Sequence, residues 1–165
     1  MSKVEIKPFD LVEKTIGRTV LIVTRDVSGK PNAMTAGWLS LGGLWGKAVL
    51  TIAVRPDRYT YELLEAVPEF TVNVPGKELH RAVEICGVVS GRDEDKFARC
   101  RIRTEPGRVV SVPGLTGSLI TYECEVILKA ESAPIRKHRL YFGEIVASYA
   151  EESLVKELPQ EGAGR

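Results

Sequence analysis

Leu119-Ile120-Thr121-Tyr122-Glu123-Cys124-Glu125-Val126-Ile127-Leu128-Lys129 is the clearest strand in the chain. Ile120, Tyr122, Cys124, Val126 and Leu128 fall on one face. Thr121, Glu123, Glu125 and Lys129 fall on the other, with Ile127 the exception. Successive side chains of a strand point to opposite sides, so this alternation predicts an antiparallel strand with one face in the core and one in water. Residues 140–149 read as the final strand, paired with it. Upstream, residues 19–24 (TVLIVT), 48–54 (AVLTIAV) and 70–74 (FTVNV) are β-branched, apolar runs that also suit strands. Between residues 26 and 32 the chain collects Asp, Ser, Gly, Pro and Asn, each a turn former for backbone reasons. Residues 34–41 then read as a returning strand, broken by Gly42-Gly43 and Gly46.

Two short helices interrupt the strands. Pro56 suits a first helical turn, where its missing N–H costs nothing, and the helix continues over 59–66 until Pro68. Leu79, Ala82, Val83 and Cys86 recur at helical spacing and mark the second. Many strands with few, short helices predict a mainly β protein, a barrel rather than an alternating α/β sheet. A length of 165 residues fits one domain. We assign the barrel to about residues 15–150 and a charged tail to 151–165. In that tail Leu154, Val155 and Leu158 can make one helical turn, and the last few residues are expected to be mobile.

The charge balance excludes several classes. Net charge is +1, and no basic tract is interleaved with aromatics, so a nucleic-acid surface has no support. No apolar run reaches membrane-spanning length, and the start of the chain has no signal-peptide pattern, so the expected location is the cytoplasm. Cys86, Cys100 and Cys124 match no CxxC spacing. They read as free thiols filling apolar space, with Cys86 the one near the segments described next. Rossmann, P-loop, HExxH and GxSxG patterns are all missing.

Three segments can carry chemistry. In Arg55-Pro56-Asp57-Arg58-Tyr59-Thr60-Tyr61 a helix start offers unpaired N–H groups beside two cations and a hydroxyl, which suits a phosphate; the competing reading is a start capped by Asp57 with solvated arginines. In Asn32-Ala33-Met34-Thr35-Ala36-Gly37-Trp38 a strand edge can read the polar rim of a flat ring, while Trp38 can equally be an ordinary core residue. In Ser90-Gly91-Arg92-Asp93-Glu94-Asp95-Lys96-Phe97 the backbone can approach a ligand closely at Gly91, and Lys96 can neutralise an anion; a solvated loop is the alternative. His138 begins a strand at the rim of the expected barrel, where it can hydrogen-bond a substrate. His80 reads as an exposed helix residue.

In order and spacing these segments, with Glu69-Phe70-Thr71-Val72-Asn73-Val74-Pro75, Tyr122-Glu123-Cys124 and the run from His138 to Gly143-Glu144, resemble the flavin reductase-like family, in its flavoredoxin-like branch. The resemblance covers about residues 17–148. It implies a split, Greek-key-like β-barrel, usually a homodimer, that binds FMN rather than FAD near the subunit interface. It implies that Asn32, Met34, Thr35 and Ala36 line the ring and ribityl chain. Thr51, Ala53 and Val54 follow on the adjacent strand. Arg58, Tyr59 and Thr60 sit near the phosphate, Ser90, Gly91, Lys96 and Phe97 close the site, and His138 lies near a nicotinamide. The implied activity is electron transfer from NAD(P)H through flavin to an unidentified acceptor. Two places depart from the family pattern: Gly43-Leu44-Trp45-Gly46-Lys47 replaces a frequent Pro-Pro, and Arg136-Lys137 replaces a frequent Gly-Asp before the histidine. The second departure leaves another reading open, an FMN-carrying electron-transfer protein with no direct nicotinamide reaction.

Overall fold

The computed structural model describes residues 2–158; the expected end of the tail, 159–165, lies outside them. In chain order the elements are β1 (Lys3–Glu5), β2 (Val20–Arg25), β3 (Pro31–Ala36), β4 (Leu39–Leu44) and β5 (Lys47–Val54). Then come α1 (Tyr59–Ala66), β6 (Glu69–Pro75), α2 (His80–Val88) and α3 (Lys96–Cys100). The chain continues through β7 (Thr104–Glu105), β8 (Gly114–Leu115), β9 (Ser118–Glu131), β10 (Arg139–Glu151) and α4 (Glu152–Val155). No helix among the described residues is long and apolar enough to cross a membrane.

Seven strands run in the order β3-β2-β6-β9-β10-β5-β4, every pair antiparallel, and β1 adds to β10. The two ends of this order, β3 and β4, are consecutive in the chain and are separated only by Gly37-Trp38. The sheet therefore curls until its edges meet at that dipeptide, yet no ladder joins β3 to β4 among the described residues. The result is a barrel with a seam.

The seam corrects the expected single strand over 34–41. Ala36 pairs with Val20 of β2, whereas Leu39 pairs with Ile52 of β5. A hydrophobic alternation records which face is buried but not which neighbour is paired, so a change of partner leaves no trace in it. The expected break at Gly42-Gly43 also moves: both glycines lie inside β4. The turn is Trp45-Gly46, with φ of 53° and 71°, which joins Leu44 to Lys47 as a two-residue hairpin.

Two apolar clusters flank the barrel wall. Val20, Ile22, Leu50, Ile52, Phe70, Val72, Tyr122 and Tyr141 fill the interior. Leu21, Val23, Ala33, Ala82, Cys86, Val112 and Leu115 form a second cluster outside, beneath α2 and the segment after β7. Residues 20–23 of β2 are consequently buried on both faces, which is why that run is unbroken in hydrophobicity. Leu154, Val155 and Leu158 pack against the interior cluster, as the tail pattern predicts.

The outer segment also overturns the wet face expected for β9. Of the four polar residues expected on that face, Thr121 and Glu123 are fully buried, Lys129 is half-buried and only Glu125 is exposed. Glu123 accepts the backbone N–H groups of Arg108 and Val109, both at 2.7 Å, and of Val110 at 3.0 Å; Tyr149 Oη donates to it at 2.9 Å. A charge with four donors tolerates burial that a lone carboxylate cannot.

Candidate functional site

The helix start expected at Pro56 lies further on. Pro56 and Asp57 form a turn, Arg58 is the residue before the helix, and no side chain caps the first turn of α1. Asp57 pairs with Arg55 at 2.5 Å instead of capping. The free N–H groups of α1 are left open on the side where β3 and the loop after α2 meet it.

A cleft of about 120 Å³ opens there. Asn32, Met34 and Thr35 come from β3, and Arg58, Tyr59 and Thr60 from the start of α1. Ser90, Gly91 and Lys96 come from the loop after α2 and the start of α3. Three segments far apart in sequence thus share one wall. Asn32 and Thr60 are buried, and Asn32 Nδ2 donates to Thr60 Oγ1 at 3.3 Å. Gly91 packs so closely that a Cβ there would collide with the Asn32 side chain and the Tyr59 ring. Arg92 ties the loop to α1, donating to the Asp57 carbonyl at 3.0 Å and to Glu62 at 2.5 Å. Asp95 caps α3 by accepting from the Ala98 N–H at 3.0 Å, which sets the direction of Lys96.

Lys96 is the unusual group. It is 5% exposed, and its Nζ donates to the Ala33 carbonyl at 2.8 Å and the Cys86 carbonyl at 3.4 Å. Burial, and in smaller part the positive charge of Arg58, lowers its pKa. No carboxylate pairs with Lys96 or Arg58 among the described residues. Cys86 lines the same cleft with its thiol pushed up to about 11, chiefly by burial, so it is a neutral thiol at pH 7.

A second, wider cleft of about 300 Å³ shares Met34, Thr35 and Arg58 with the first and runs along the seam. Ala36, Trp38 and Ala53 form its floor and side; Arg55, Arg136 and His138 form its rim. Trp38 is 62% exposed, so the core reading of this residue is wrong. His138 meets the Trp38 ring edge-on at 5.5 Å, and the Arg136 guanidinium lies 5.9 Å from it.

Eleven of the residues expected from the sequence therefore meet at these two clefts together with His138. Three do not. Val54 points into the barrel interior. Thr51 faces a neighbouring apolar groove bounded by Leu44, Leu140 and Phe142. Phe97 packs on the outer cluster and lines a small cavity behind the first cleft. Thr35 lines both clefts, but its hydroxyl donates to the Val83 carbonyl at 2.5 Å and so braces β3 on α2. Sequence reasoning missed the cleft positions of Arg92 and Arg136. Arg92 sat inside a segment already singled out, whereas Arg136 is one cation in a charged run that any solvated loop can show.

A mainly antiparallel barrel with a seam defines the split-barrel class. Residues 14–159 match the family described as flavin reductase like domain, and the chain belongs to that family. It is 34% identical over 131 residues to an uncharacterized protein of Archaeoglobus fulgidus, covering 78% of this chain and 70% of that one. Its structure resembles the flavoredoxin of Desulfovibrio vulgaris (Miyazaki F), with a TM-score of 0.74, 26% identity, and 83% and 71% of the two chains covered. It also resembles an FMN-binding protein from Thermus thermophilus with bound p-hydroxybenzaldehyde, with a TM-score of 0.74, 25% identity, and 86% and 76% covered.

Proposed function

We propose that the protein binds FMN across the two clefts and acts as a flavin oxidoreductase, passing electrons from NAD(P)H through the flavin to an acceptor. The observation that carries this reading is the buried Lys96 ammonium beside Arg58 at an uncapped helix start, with no carboxylate paired to either among the described residues; Asp57, which lines the same cleft, pairs with Arg55. That combination suits a phosphate. Gly91 lets the loop pack directly against Asn32 and Tyr59, two residues that line the same cleft. The likeness to a flavoredoxin and to an FMN-binding protein supports FMN over FAD.

In this reading Lys96, Arg58 and the N–H groups around Thr60 hold the phosphate. Asn32, Met34, Thr35 and Ala36 line the ribityl chain and ring, and Ser90 and Gly91 close over them. When bound, the flavin supplies the hydride and electron chemistry; the protein supplies binding, orientation and electrostatics. His138 and Trp38 orient the nicotinamide at the second cleft, and no side chain serves as an obligatory acid or base. The apolar groove bounded by Leu140 and Phe142 continues into this cleft through Trp38 and Ala53, which supports a homodimer whose interface borders the site.

The visible spectrum of the freshly purified protein, with chromatography of any released chromophore, tests the cofactor. A flavin spectrum with FMN released is expected. A colourless protein that binds neither added FMN nor FAD overturns the reading. Anaerobic mixing of the FMN-loaded protein with NADH or NADPH then tests the activity: prompt bleaching is expected. Absence of bleaching with both leaves the FMN-carrying electron-transfer reading, which the replacement of the family Gly-Asp by Arg136-Lys137 favours.

A further inference from the structure

We infer that the second cleft selects, between otherwise similar planar-ring co-substrates, the one that carries an additional anionic group, with Arg136 as the residue that reads that charge. This rests on the proposed flavin site beside it. Three guanidiniums line the cleft, from Arg55, Arg58 and Arg136, and no carboxylate does. Arg55 is balanced in part by Asp57. Arg58 and Arg136 have no ion pair among the described residues. Arg92, Arg99 and Arg139 each pair with a glutamate, whereas the second cleft gathers two unpaired guanidiniums and one partly balanced one around a single space. Cations that face one space without a counter-charge repel each other, and an anion entering that space relieves the repulsion.

The main chain at Arg136 is also held in place, although its side chain is exposed. Its segment closes the connection between β9 and β10. Ser132 Oγ donates to the Arg136 carbonyl at 2.7 Å, and the Arg136 N–H donates to the Ser132 carbonyl at 3.4 Å. The His138 N–H donates in turn to Ser132 Oγ at 3.2 Å. One serine therefore fixes the turn that carries both rim groups over Trp38. The indole and imidazole present flat surfaces for a ring, and the guanidinium above the indole meets a charge attached to it. Two sources share this chemistry: the additional ribose phosphate that separates NADPH from NADH, and the carboxylate of an aromatic electron acceptor.

Trp38 supplies the readout, because the chain has two tryptophans and Trp45→Phe removes the other. The FMN-loaded protein in that background is titrated with NADP+ against NAD+, and with 4-hydroxybenzoate against 4-hydroxybenzaldehyde, following Trp38 emission. In at least one pair the member with the additional anionic group is expected to bind about tenfold more tightly, a preference that shrinks as salt is raised. The pair that responds identifies the source of the charge. Arg136→Gln is expected to bring the ratio close to one. Equal binding within both pairs, or a preference that survives Arg136→Gln, overturns the inference. The same titrations on flavin-free protein read the charge preference even where FMN fails to bind, so failure of the flavin reading and failure of this one are distinct results.

Discussion

At Lys96 the cost of a buried charge and the proposed phosphate site meet in one side chain. Its charge is held by two carbonyl oxygens and no carboxylate, in a wall shared with Arg58. Burial lowers its pKa below the ordinary 10.5. Between the lowered folded value and the unfolded one, the unfolded chain binds more protons, so stability rises with pH through that window. The cost of the buried charge is present in full below it. Flavin affinity is expected to move the other way and fall as the ammonium deprotonates. Lys96→Met keeps the apolar stem and removes the charge. We expect FMN to bind about tenfold to a hundredfold more weakly, with a melting temperature that holds or rises. Fluorescence titration and a thermal melt measure both, and an unchanged flavin affinity would remove Lys96 from the site. Gly91 makes a complementary case. Its missing side chain is what lets the loop reach Asn32 and Tyr59. Gly91→Ala is therefore expected to weaken FMN binding while leaving the two apolar clusters intact, read by the same titration against unfolding in urea.

At the scale of elements, β9 departs most from its pattern. Its period-two alternation is correct, and Ile120, Tyr122, Cys124 and Val126 of its apolar face pack in the barrel, whereas Leu128 is exposed. The opposite face is dry at Thr121 and Glu123 because the chain after β7 folds back over it. Glu123 is the pin: three successive backbone N–H groups converge on it, and Tyr149 donates from β10. Burial and the adjoining carboxylate raise the Tyr149 pKa, which keeps the phenol a donor. Glu123→Ala orphans all four donors and is expected to destabilise the protein by about 3 kcal/mol in urea unfolding. Amide exchange at Arg108, Val109 and Val110 should rise ahead of the rest of the barrel. Protection that stays uniform would show that the outer segment holds without this carboxylate. The hairpin at Trp45-Gly46 carries a similar lesson, since its glycine was visible as a break but the two-residue turn was set by the pairing of Leu44 with Lys47.

The whole molecule joins these parts through its seam. The first cleft lies between β3, the start of α1 and the loop after α2, while the second lies where the chain leaves β3 and crosses to β4, so the barrel's incomplete closure borders it. The exposed apolar strip beside it includes Trp45 and Leu128, and Leu128 sits opposite Phe142 in the β9–β10 ladder. We expect a homodimer in sedimentation experiments and a monomer from Leu128→Glu; a wild-type monomer at all concentrations would remove this interface from the proposal. The positions of β2, β5, β6, β9 and β10, both main helices, the mainly β class and the family resemblance were legible in the sequence, because burial periodicity and turn residues are local properties. Asn32, Arg58, Thr60, Gly91 and Lys96 were legible as candidates because each lies in a segment with its own local chemistry. Which strand pairs with which, the drying of Glu123, the outward position of Trp38 and the arrival of Arg136 over it were decided only by the tertiary structure. Each depends on a contact between residues far apart in the chain, and local patterning carries no record of that partner.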